Sequence, residues 1–503
     1  LLVLLLGLMP VLSFDFGIVW DEPLQHEYGR KAWAFYASGL ADRSALDFNN
    51  AHFFGALVNL LCLAVHKVFS FMNEYDARRV VVSLFGWAGI AFTGLLARRC
   101  FGSLAGVLAV VLLVLSPRFM GHAMVNSKDI PFATCYVMAL FFLADARRAY
   151  PYLTRRSVLG FVAAAALAIN VRVGGVLLLV YGAGLVGLLA LWDRLWLQPR
   201  RVAILSGRMA ACGVATMLLC ILFWPLALLH PLWGPWQALT IFRHFDWTGS
   251  VLYAGAVISA SDLPWHYAWR WLGITTPAVV LAGLALAVGL FCSRRHALAV
   301  AGVLFAALFP VVYVTLTHAM LYDGIRHLLF VYPPMVVLAA AGWAWCLERA
   351  RSHRILAWTV TGLLCVGLLG PLRFHLVNHR NQIVYFNELI GGVPGAFQRY
   401  ELDYWHNSFN QAIDWVRDVA KLNGAQASFT TRGGSSLAPY LYSQRFAEVN
   451  YIPAGIRLAD KANFIITLLR ESPTQYLDIR RNGKIIHAIM VDGVPICLIE
   501  VNR

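Results

Sequence analysis

The sequence predicts a polytopic α-helical membrane protein that ends in a small α/β domain. Of its 503 residues, 59% are hydrophobic and only 13% are charged, which is more apolar than soluble proteins are. The apolar residues form blocks that approach the roughly 20 residues needed to cross a bilayer, and no β-barrel alternation is visible. From about residue 372 these blocks stop and the composition becomes that of a soluble domain.

The apolar blocks and the basic residues between them predict about 11 transmembrane helices. Paired basic residues such as Arg98-Arg99, Arg147-Arg148 and Arg294-Arg295 separate the blocks and belong in the cytoplasm, with the amino terminus inside and the carboxyl terminus outside. The net charge of +15 therefore indicates topology and not a nucleic-acid partner. The predicted spans are 1–14, 80–97, 104–117, 130–144, 158–171, 174–191, 207–229, 277–292, 297–316, 328–347 and 355–371.

This topology requires that the apolar stretch 51–71 does not cross the membrane. It carries His52, Asn59, His66 and Lys67, and we interpret it as an amphipathic helix in the outer interface. It lies in the first of two long external loops, 15–79 and 230–276. The second loop has six tryptophans, which are typical of the interfacial belt and also suit sugar stacking.

The two ends of the chain lead to further predictions. The sequence begins "LLVLLLGLMP" without a methionine, so we expect a truncated first span; a signal peptide is the alternative, although no cleavage site stands out. Residues 372–503 should form the extracytoplasmic α/β domain, and residues 1–371 the transmembrane domain. The domain has a helix-like stretch at 408–422 and strand-like stretches at 426–431, 462–469 and 484–501, with a hairpin turn at Asp492-Gly493. Eight of the nine cysteines lie in apolar stretches and are expected to be packing residues.

Three polar clusters fall at the outer mouths of the predicted spans. The first follows the first span in "IVWDEPLQHEYGRKAW" and contains Asp21, Glu22 and His26. Asp21 could simply cap the helix that Glu22 and Pro23 open, or it could serve an active site. Glu22 and His26 share a helix face and could both bind a divalent metal ion.

The second cluster interrupts two apolar spans in "RFMGHAMVNSKDIPFAT", and contains His122, Asn126, Lys128 and Asp129. Asp129 could be a helix cap, but an external lysine beside it has no explanation in the positive-inside rule.

The third cluster lies in "HAMLYDGIRHLLFVYPP", where Asp323, Arg326 and His327 precede a span. Arg326 suits bidentate phosphate binding, with snorkelling to the interface as the alternative. Ionisable groups beside apolar spans usually mark a functional site, so the three clusters could meet in one cavity.

An acidic pair after the first span, the Lys-Asp-x-Pro loop at Lys128 and an arginine at an outer span mouth together resemble the GT-C membrane glycosyltransferases. The resemblance is to family 39 in particular, which includes protein O-mannosyltransferases and lipid A aminoarabinose transferases. The stretch "VYFNELIGGVPGAFQRYELDYWHNSFNQAIDW" is also similar to the tails of bacterial members. The resemblance implies a sugar donor linked to polyprenyl phosphate, an external active site and interfacial helices in the first loop.

The resemblance implies Asp21 as the general base, with Glu22 orienting it or binding a metal ion. Asp129 would position a sugar, while Lys128, Arg326 and His327 would hold the donor phosphate; His122, Asn126 and Asp323 are secondary candidates. The expected partners are a lipid-linked donor, membrane lipids and an acceptor glycan, lipid or protein, at an inner (plasma) membrane with the site on its periplasmic or extracellular side. No cofactor is firmly predicted beyond the divalent metal ion that Glu22 and His26 could bind.

A single base with direct displacement predicts inversion at the anomeric carbon, because retention would need a second, nearby carboxylate as nucleophile. The alternative function is a transporter or flippase of a lipid-linked or anionic substrate. Transporters usually have paired repeats and helices broken at the midplane, and neither is visible in the sequence. A scaffold protein would leave the carboxylates at the span mouths unexplained.

Overall fold

A computed structural model describes residues 1–150, 153–243, 247–292, 296–433, 437–453, 462–470, 472 and 474–502. In these residues helices dominate the first three quarters of the chain, and a mixed sheet occupies the last quarter. The loop pair Arg294-Arg295, used above to assign topology, lies outside the described residues.

Within the described residues, seven helices are long and apolar enough to cross a membrane. They are α4 (Glu74–Phe101), α7 (Asp129–Ala149), α9 (Leu177–Trp192, preceded by a 3₁₀ turn Val173–Val176), α10 (Pro199–Leu222), α15 (Ala297–Leu316), α16 (Tyr332–Ala350, preceded by a 3₁₀ turn Arg326–Val331) and α17 (Arg354–Val377). Seven of the eleven predicted spans lie on these helices.

Two further predicted spans, 104–117 and 277–292, fall on pairs of helices that bend sharply. The first pair is α5 (Ser103–Val114) and α6 (Pro117–Val125), bent by 68°, and the second is α13 (Tyr267–Thr275) and α14 (Ala278–Ala287), bent by 111°. A proline stands at each bend, Pro117 and Pro277, where it cannot continue the preceding helix. By length and composition, the described residues thus contain up to nine possible spans if each bent pair counts as one.

The remaining two predicted spans, 1–14 and 158–171, form the shorter helices α1 (Leu2–Ser13) and α8 (Arg155–Val171). The predicted count of about eleven is therefore not confirmed. Hydrophobicity alone does not distinguish a full crossing from a short or bent apolar helix.

The two loops that we predict to be external contain short helices of their own. The first loop has α2 (Glu22–Ala37), a 3₁₀ turn (Asn49–Phe53) and α3 (Leu57–Val68), which packs on α2 and α4. A helix thus lies within the predicted stretch 51–71, although it is shorter, and its place at the membrane interface stays a prediction. The second loop has α11 (Pro225–Leu229), α12 (Trp233–Arg243) and a hairpin of β1 (Ser250–Tyr253) and β2 (Ala256–Ser259).

The C-terminal part consists of α18 (Gly392–Ala396), α19 (Asn407–Leu422), β3 (Ala427–Arg432), α20 (Leu437–Ser443), β4 (Val449–Tyr451), β5 (Phe464–Leu468), α21 (Gln475–Asn482), β6 (Ile485–Val491) and β7 (Val494–Val501). Its strands form a five-stranded sheet in the order β4-β3-β5-β7-β6. β3 runs parallel to β4 and β5, while β7 runs antiparallel to β5 and β6.

The predicted helix and hairpin of this domain are confirmed. α19 buries Phe409, Ile413, Val416 and Ala420 on one face, and this face packs on β5 and β7. The β6–β7 turn at Asp492-Gly493 has positive φ at both positions, as a tight two-residue hairpin requires. α17 continues to Val377, past the predicted domain boundary at 371.

Close helix packing in the membrane part brings α6 against α4. A Cβ added at Gly86 of α4 would lie 2.6 Å from the Cβ of Ala123 on α6, so only glycine allows this approach. Ala123 follows His122, and the packing therefore fixes the height at which the second polar cluster lies.

Candidate active site

The structure joins the first and third polar clusters through Asp21 and Arg326. Arg326 Nη1 donates a hydrogen bond of 3.0 Å to Asp21 Oδ2, although the two residues are 305 positions apart. Lys128 and Asp129 of the second cluster also act electrostatically on Asp21. The three predicted clusters therefore converge on one region.

Asp21 is an ionised carboxylate held by cations. Its burial would raise its pKa, but the positive charges of Arg326 and Lys128 outweigh burial and lower the pKa below its usual value. Its side chain is still 24% exposed. Asp21 is the residue before α2, yet its side chain makes no capping hydrogen bond with the helix. The helix-cap alternative therefore does not describe what this carboxylate does.

Asp129 is held differently, by partners on both of its oxygens. Arg172 forms an ion pair with Oδ1, and Asn126 Nδ2 donates a hydrogen bond of 2.9 Å to Oδ2. Asn126 Oδ1 also accepts hydrogen bonds from the backbone N–H groups of Lys128 and Asp129, at 3.1 and 2.8 Å. Asn126 thus satisfies the start of α7, and the carboxylate of Asp129 is not a cap.

His122 continues this hydrogen-bonded chain towards the C-terminal domain. Its Nδ1 lies 3.1 Å from Asn126 Nδ2, which is a donor, so Nδ1 accepts and Nε2–H donates to the hydroxyl of Tyr404 at 2.8 Å. His122 and Asn126 are fully buried. They therefore support Asp129 and Tyr404 from inside the protein.

Arg326 is the centre of the third cluster. Besides Asp21 it lies 3.3 Å from Asp323 Oδ2 through its Nε, and its guanidinium lies 4.9 Å from the ring centroid of Tyr322 and 5.6 Å from that of Trp405. The side chain is buried, so these two carboxylates and two aromatic faces take the place of water around a full positive charge.

A second arginine, Arg470, ties the C-terminal domain to this cluster. Its Nη2 lies 2.5 Å from Asp323 Oδ1, its Nε donates to Glu401 Oε1 at 3.0 Å, and its Nη1 donates to the backbone carbonyl of Tyr404 at 3.0 Å. Glu401 is 1% exposed. Burial, aided by the charge of Asp323, raises the pKa of Glu401 to about 7 even though Arg470 acts in the opposite direction.

Lys128 and His327 lie at the edge of the cluster. The ammonium group of Lys128 lies 4.6 Å from the ring centroid of Phe54, and burial lowers its pKa despite the nearby charge of Asp21. His327 packs edge-on against Tyr322 with ring centroids 4.5 Å apart, and its Nδ1 has no hydrogen-bond partner in the described part of the chain. Both side chains are partly exposed, as a group that binds a ligand must be.

The predicted metal pair of Glu22 and His26 is not formed. Glu22 is buried, its Oε2 accepts the backbone N–H of Val19 at 2.9 Å, and burial raises its pKa although Arg79 lies near. His26 Nε2 instead lies 2.9 Å from Glu74 Oε2. Residues at i and i+4 share a helix face, but other partners already occupy these two side chains. In the residues that the structure covers, no group of three or more His, Cys, Asp or Glu side chains is placed to hold a metal ion.

Sequence reasoning missed Arg172, Arg470, Glu401 and Tyr404. Arg172 had a signal, because it ends the predicted span 158–171 on the external side, where the positive-inside rule does not call for a cation. Glu401 and Tyr404 lie in the tail stretch quoted for the resemblance, without any feature that singles them out. Arg470 had none, since only the folding of the sheet brings it to Asp323.

Comparison with known proteins supports the resemblance seen in the sequence. Residues 56–224 match the family model described as dolichyl-phosphate-mannose-protein mannosyltransferase. This segment contains Lys128, Asp129 and Arg172, but not Asp21 or Arg326. A search of the curated proteins gives no match.

Two solved structures share the fold over nearly the whole chain. ArnT from Cupriavidus metallidurans in the apo state is 15% identical with a TM-score of 0.52, and the match covers 99% of this chain and 97% of ArnT. ArnT from the same organism bound to undecaprenyl phosphate is 15% identical with a TM-score of 0.53, covering 100% of this chain and 98% of ArnT. The chain thus has the fold of ArnT, and its predicted resemblance to the GT-C membrane glycosyltransferases is confirmed.

Proposed function

We propose that the protein is an integral-membrane glycosyltransferase that moves a sugar from a polyprenyl-phosphate donor to an acceptor on the outer side of the inner (plasma) membrane. The observation that carries this function is the partly exposed carboxylate of Asp21 beside two cations, Arg326 and Lys128. A carboxylate can take a proton from an acceptor, and cations can hold the phosphate that leaves. The fold shared with ArnT, which was solved with undecaprenyl phosphate, supports a donor of that kind.

Of the two site carboxylates, Asp21 is better suited to be the base. Asp129 has both oxygens engaged by Arg172 and Asn126, whereas the partner of Asp21 is Arg326, a group suited to bind phosphate. A donor phosphate that binds Arg326 would share this guanidinium and weaken its hold on Asp21. The pKa of Asp21 would then rise, so donor binding makes the base stronger.

The reaction is a direct displacement. Asp21 accepts the proton of an acceptor hydroxyl, the acceptor oxygen forms a bond to the anomeric carbon, and the bond from that carbon to the phosphate oxygen breaks. The electron pair leaves with the phosphate, and Arg326 and Lys128 stabilise the charge that develops there. With one base and no second free carboxylate assigned as nucleophile, the product is inverted at the anomeric carbon.

The other residues have supporting roles in this proposal. Asp129, held by Arg172, positions a sugar hydroxyl, and His327 contributes to the phosphate site. Asp323 and Arg470 orient Arg326. No step requires a metal ion, and Glu22 belongs to the packing behind Asp21.

Asp21→Asn tests the function. We expect transfer, measured as release of undecaprenyl phosphate from a lipid-linked sugar by the protein in nanodiscs, to fall by about 10²–10⁴-fold. Binding of undecaprenyl phosphate alone, measured by native mass spectrometry, should remain. A transporter or a scaffold predicts no such loss of chemistry.

The matched control is Asp15→Asn, which alters an exposed carboxylate six positions earlier that pairs with His379. Transfer by this variant should equal that of the wild type. If Asp21→Asn transfers sugar as fast as the control, Asp21 is not the base.

A separate experiment addresses the substrates. Comparison of the glycans and intact masses of a deletion strain with its parent would identify the sugar and the acceptor.

A further inference from the structure

A groove of about 690 Å³ lies between four helices, away from the cluster around Asp21. It is formed by the last turns of α7, the first turns of α8, and the middle parts of α9 and α10. Its walls are mainly apolar and include Leu143, Phe161, Leu179, Val186, Leu205 and Met209. Its volume lies within the ~300–1,000 Å³ that is typical of ligand sites.

The groove reaches the end of α7 that is remote from the active site. α7 begins with Asp129 and carries Arg147, a residue that lines the groove, in its last turn. The 18 residue steps from Asp129 to Arg147 correspond to roughly 27 Å along the helix. The groove is therefore separate from the donor phosphate site, and the basic residues around it place it on the side that we predict to be cytoplasmic.

Three arginines line the groove: Arg147, Arg155 and Arg208. Within the described ranges, none of them has a carboxylate at ion-pair distance, whereas their neighbour Arg99 pairs with Asp145. Arg155 and Arg208 are exposed and Arg147 is half-buried, so their guanidinium groups are accessible to an anion in the groove. Arginine suits phosphate, which it binds through two parallel hydrogen bonds.

The helices that bound the groove face lipid. α9 and α10 expose large apolar side chains such as Val180, Leu188, Val214 and Leu218, each at least 50% exposed in the chain alone. Hydrocarbon chains can therefore enter the groove sideways from the bilayer. Basic pockets between transmembrane helices on the cytoplasmic side are where anionic lipid headgroups bind.

We propose that this groove binds one anionic phospholipid of the cytoplasmic leaflet. The acyl chains lie along α8, α9 and α10, and Arg147, Arg155 and Arg208 hold the phosphate. This site does not depend on the proposed function, and it gives α9 and α10, which are mostly uncovered, a bound lipid to pack against.

The test is native mass spectrometry of the full chain released from nanodiscs that contain phosphatidylglycerol or phosphatidylcholine. We expect retained phosphatidylglycerol on the wild type. The triple variant R147Q/R155Q/R208Q should weaken this retention by about 10- to 100-fold, since each arginine near the surface contributes on the order of 1 kcal/mol of attraction to an anionic lipid.

The matched control is R349Q/R351Q/R354Q, which removes the same charge from another loop assigned to the cytoplasmic side, outside the groove. This control should keep the lipid. Equal losses in both triple variants would overturn the proposal, because the attraction would then depend on total charge only.

A second variant covers the case in which the triple variant fails to fold. Ala183→Trp fills the groove from α9 and leaves all three arginines in place. It should displace phosphatidylglycerol while transfer of sugar continues. Retention of phosphatidylglycerol at the wild-type level in this variant would exclude the groove as the site.

Discussion

The two ends of the membrane part handle charge in opposite ways. At the end that we predict to be outer, Asp21, Asp323 and Arg470 surround the buried Arg326 in one ion network. At the end that we predict to be inner, Arg147, Arg155 and Arg208 line an apolar groove and have no carboxylate partner in the described part of the chain. A buried charge must be paired within the protein, because desolvation is costly, whereas a charge at the surface can be left for a ligand.

The strongest way to break the outer network is to remove its central cation. Arg326→Gln removes the hydrogen-bond donor of Asp21 and leaves Asp323 with Arg470 as its ion-pair partner, and breaking a buried ion pair in this way costs about 3–5 kcal/mol. We expect a large fall in the thermal unfolding temperature and no measurable transfer. Arg208→Gln, a change of the same charge at the groove, should have little effect on unfolding. Similar unfolding temperatures for the two variants would contradict the contrast between the two ends.

Arg470→Met tests whether the C-terminal domain supports the active site. Arg470 makes hydrogen bonds to charged groups on both Asp323 and Glu401, so its loss should cost about 2–3 kcal/mol and reduce kcat more than donor binding. Arg432→Met is the control, because it removes an arginine of the same domain that is 55% exposed and lies 3.6 Å from Glu500. An exposed pair contributes only about 0–1 kcal/mol. If both variants keep the wild-type kcat, the domain does not act on the site.

These contrasts explain which parts of the site could be predicted. Asp21, Asp129 and Arg326 were found because each stands at the mouth of an apolar block, where a charge is costly unless it has a function. Arg470 could not be found, since its partner Asp323 is 147 positions away and belongs to another part of the fold. Sequence also could not tell Asp21 from Glu22, because the direction of each side chain depends on the packing around α2.

The fold likewise has some features that could be predicted from the sequence and others that could not. The helix-like stretch 408–422 predicted α19, and the Asp492-Gly493 pair predicted the hairpin, because both signals are local. The predicted number of crossings is not confirmed, because α1 and α8 are short helices and the helices bend at Pro117 and Pro277. The length of an apolar helix and the place where it bends depend on its packing against other helices. The hydrophobicity of the sequence does not contain this information.

Glu22→Gln separates the two adjacent carboxylates. Glu22 accepts one backbone hydrogen bond and is buried against arginines behind the site, so the variant should lose about 1 kcal/mol of stability. Its transfer should fall much less than that of Asp21→Asn. Equal loss of kcat in the two variants would return Glu22 to the catalytic role that the resemblance implied.

The pH dependence of unfolding reports on Glu401. Its pKa is raised to about 7 in the folded protein, so the protonated form favours folding. This contribution is complete below the ordinary glutamate pKa and is lost as the pH rises through about 7. The wild type should therefore lose thermal stability between pH 5 and pH 8 relative to Glu401→Gln. Glu448→Gln, a partly exposed control that pairs with Lys421, should follow the wild type. Parallel curves for all three proteins would contradict the assignment.

Ionic strength should have the smallest effect of these changes. It should weaken lipid binding at the groove but leave the ion network around Arg326 unchanged. The Debye length falls from about 10 Å at 0.1 M salt to about 3 Å at 1 M, so salt screens exposed charges and hardly affects buried pairs. Retention of phosphatidylglycerol, measured by eluting the lipid from purified protein at rising salt, should weaken severalfold over this range. Unfolding of Arg326→Gln relative to the wild type should differ by the same amount at both salt concentrations, because Arg326 is buried among its partners. A lipid that resists salt would be held by its acyl chains and not by Arg147, Arg155 and Arg208. These three arginines would then serve only to orient the protein in the membrane. The charged groups at the two ends of the membrane part would differ only in how deeply they are buried.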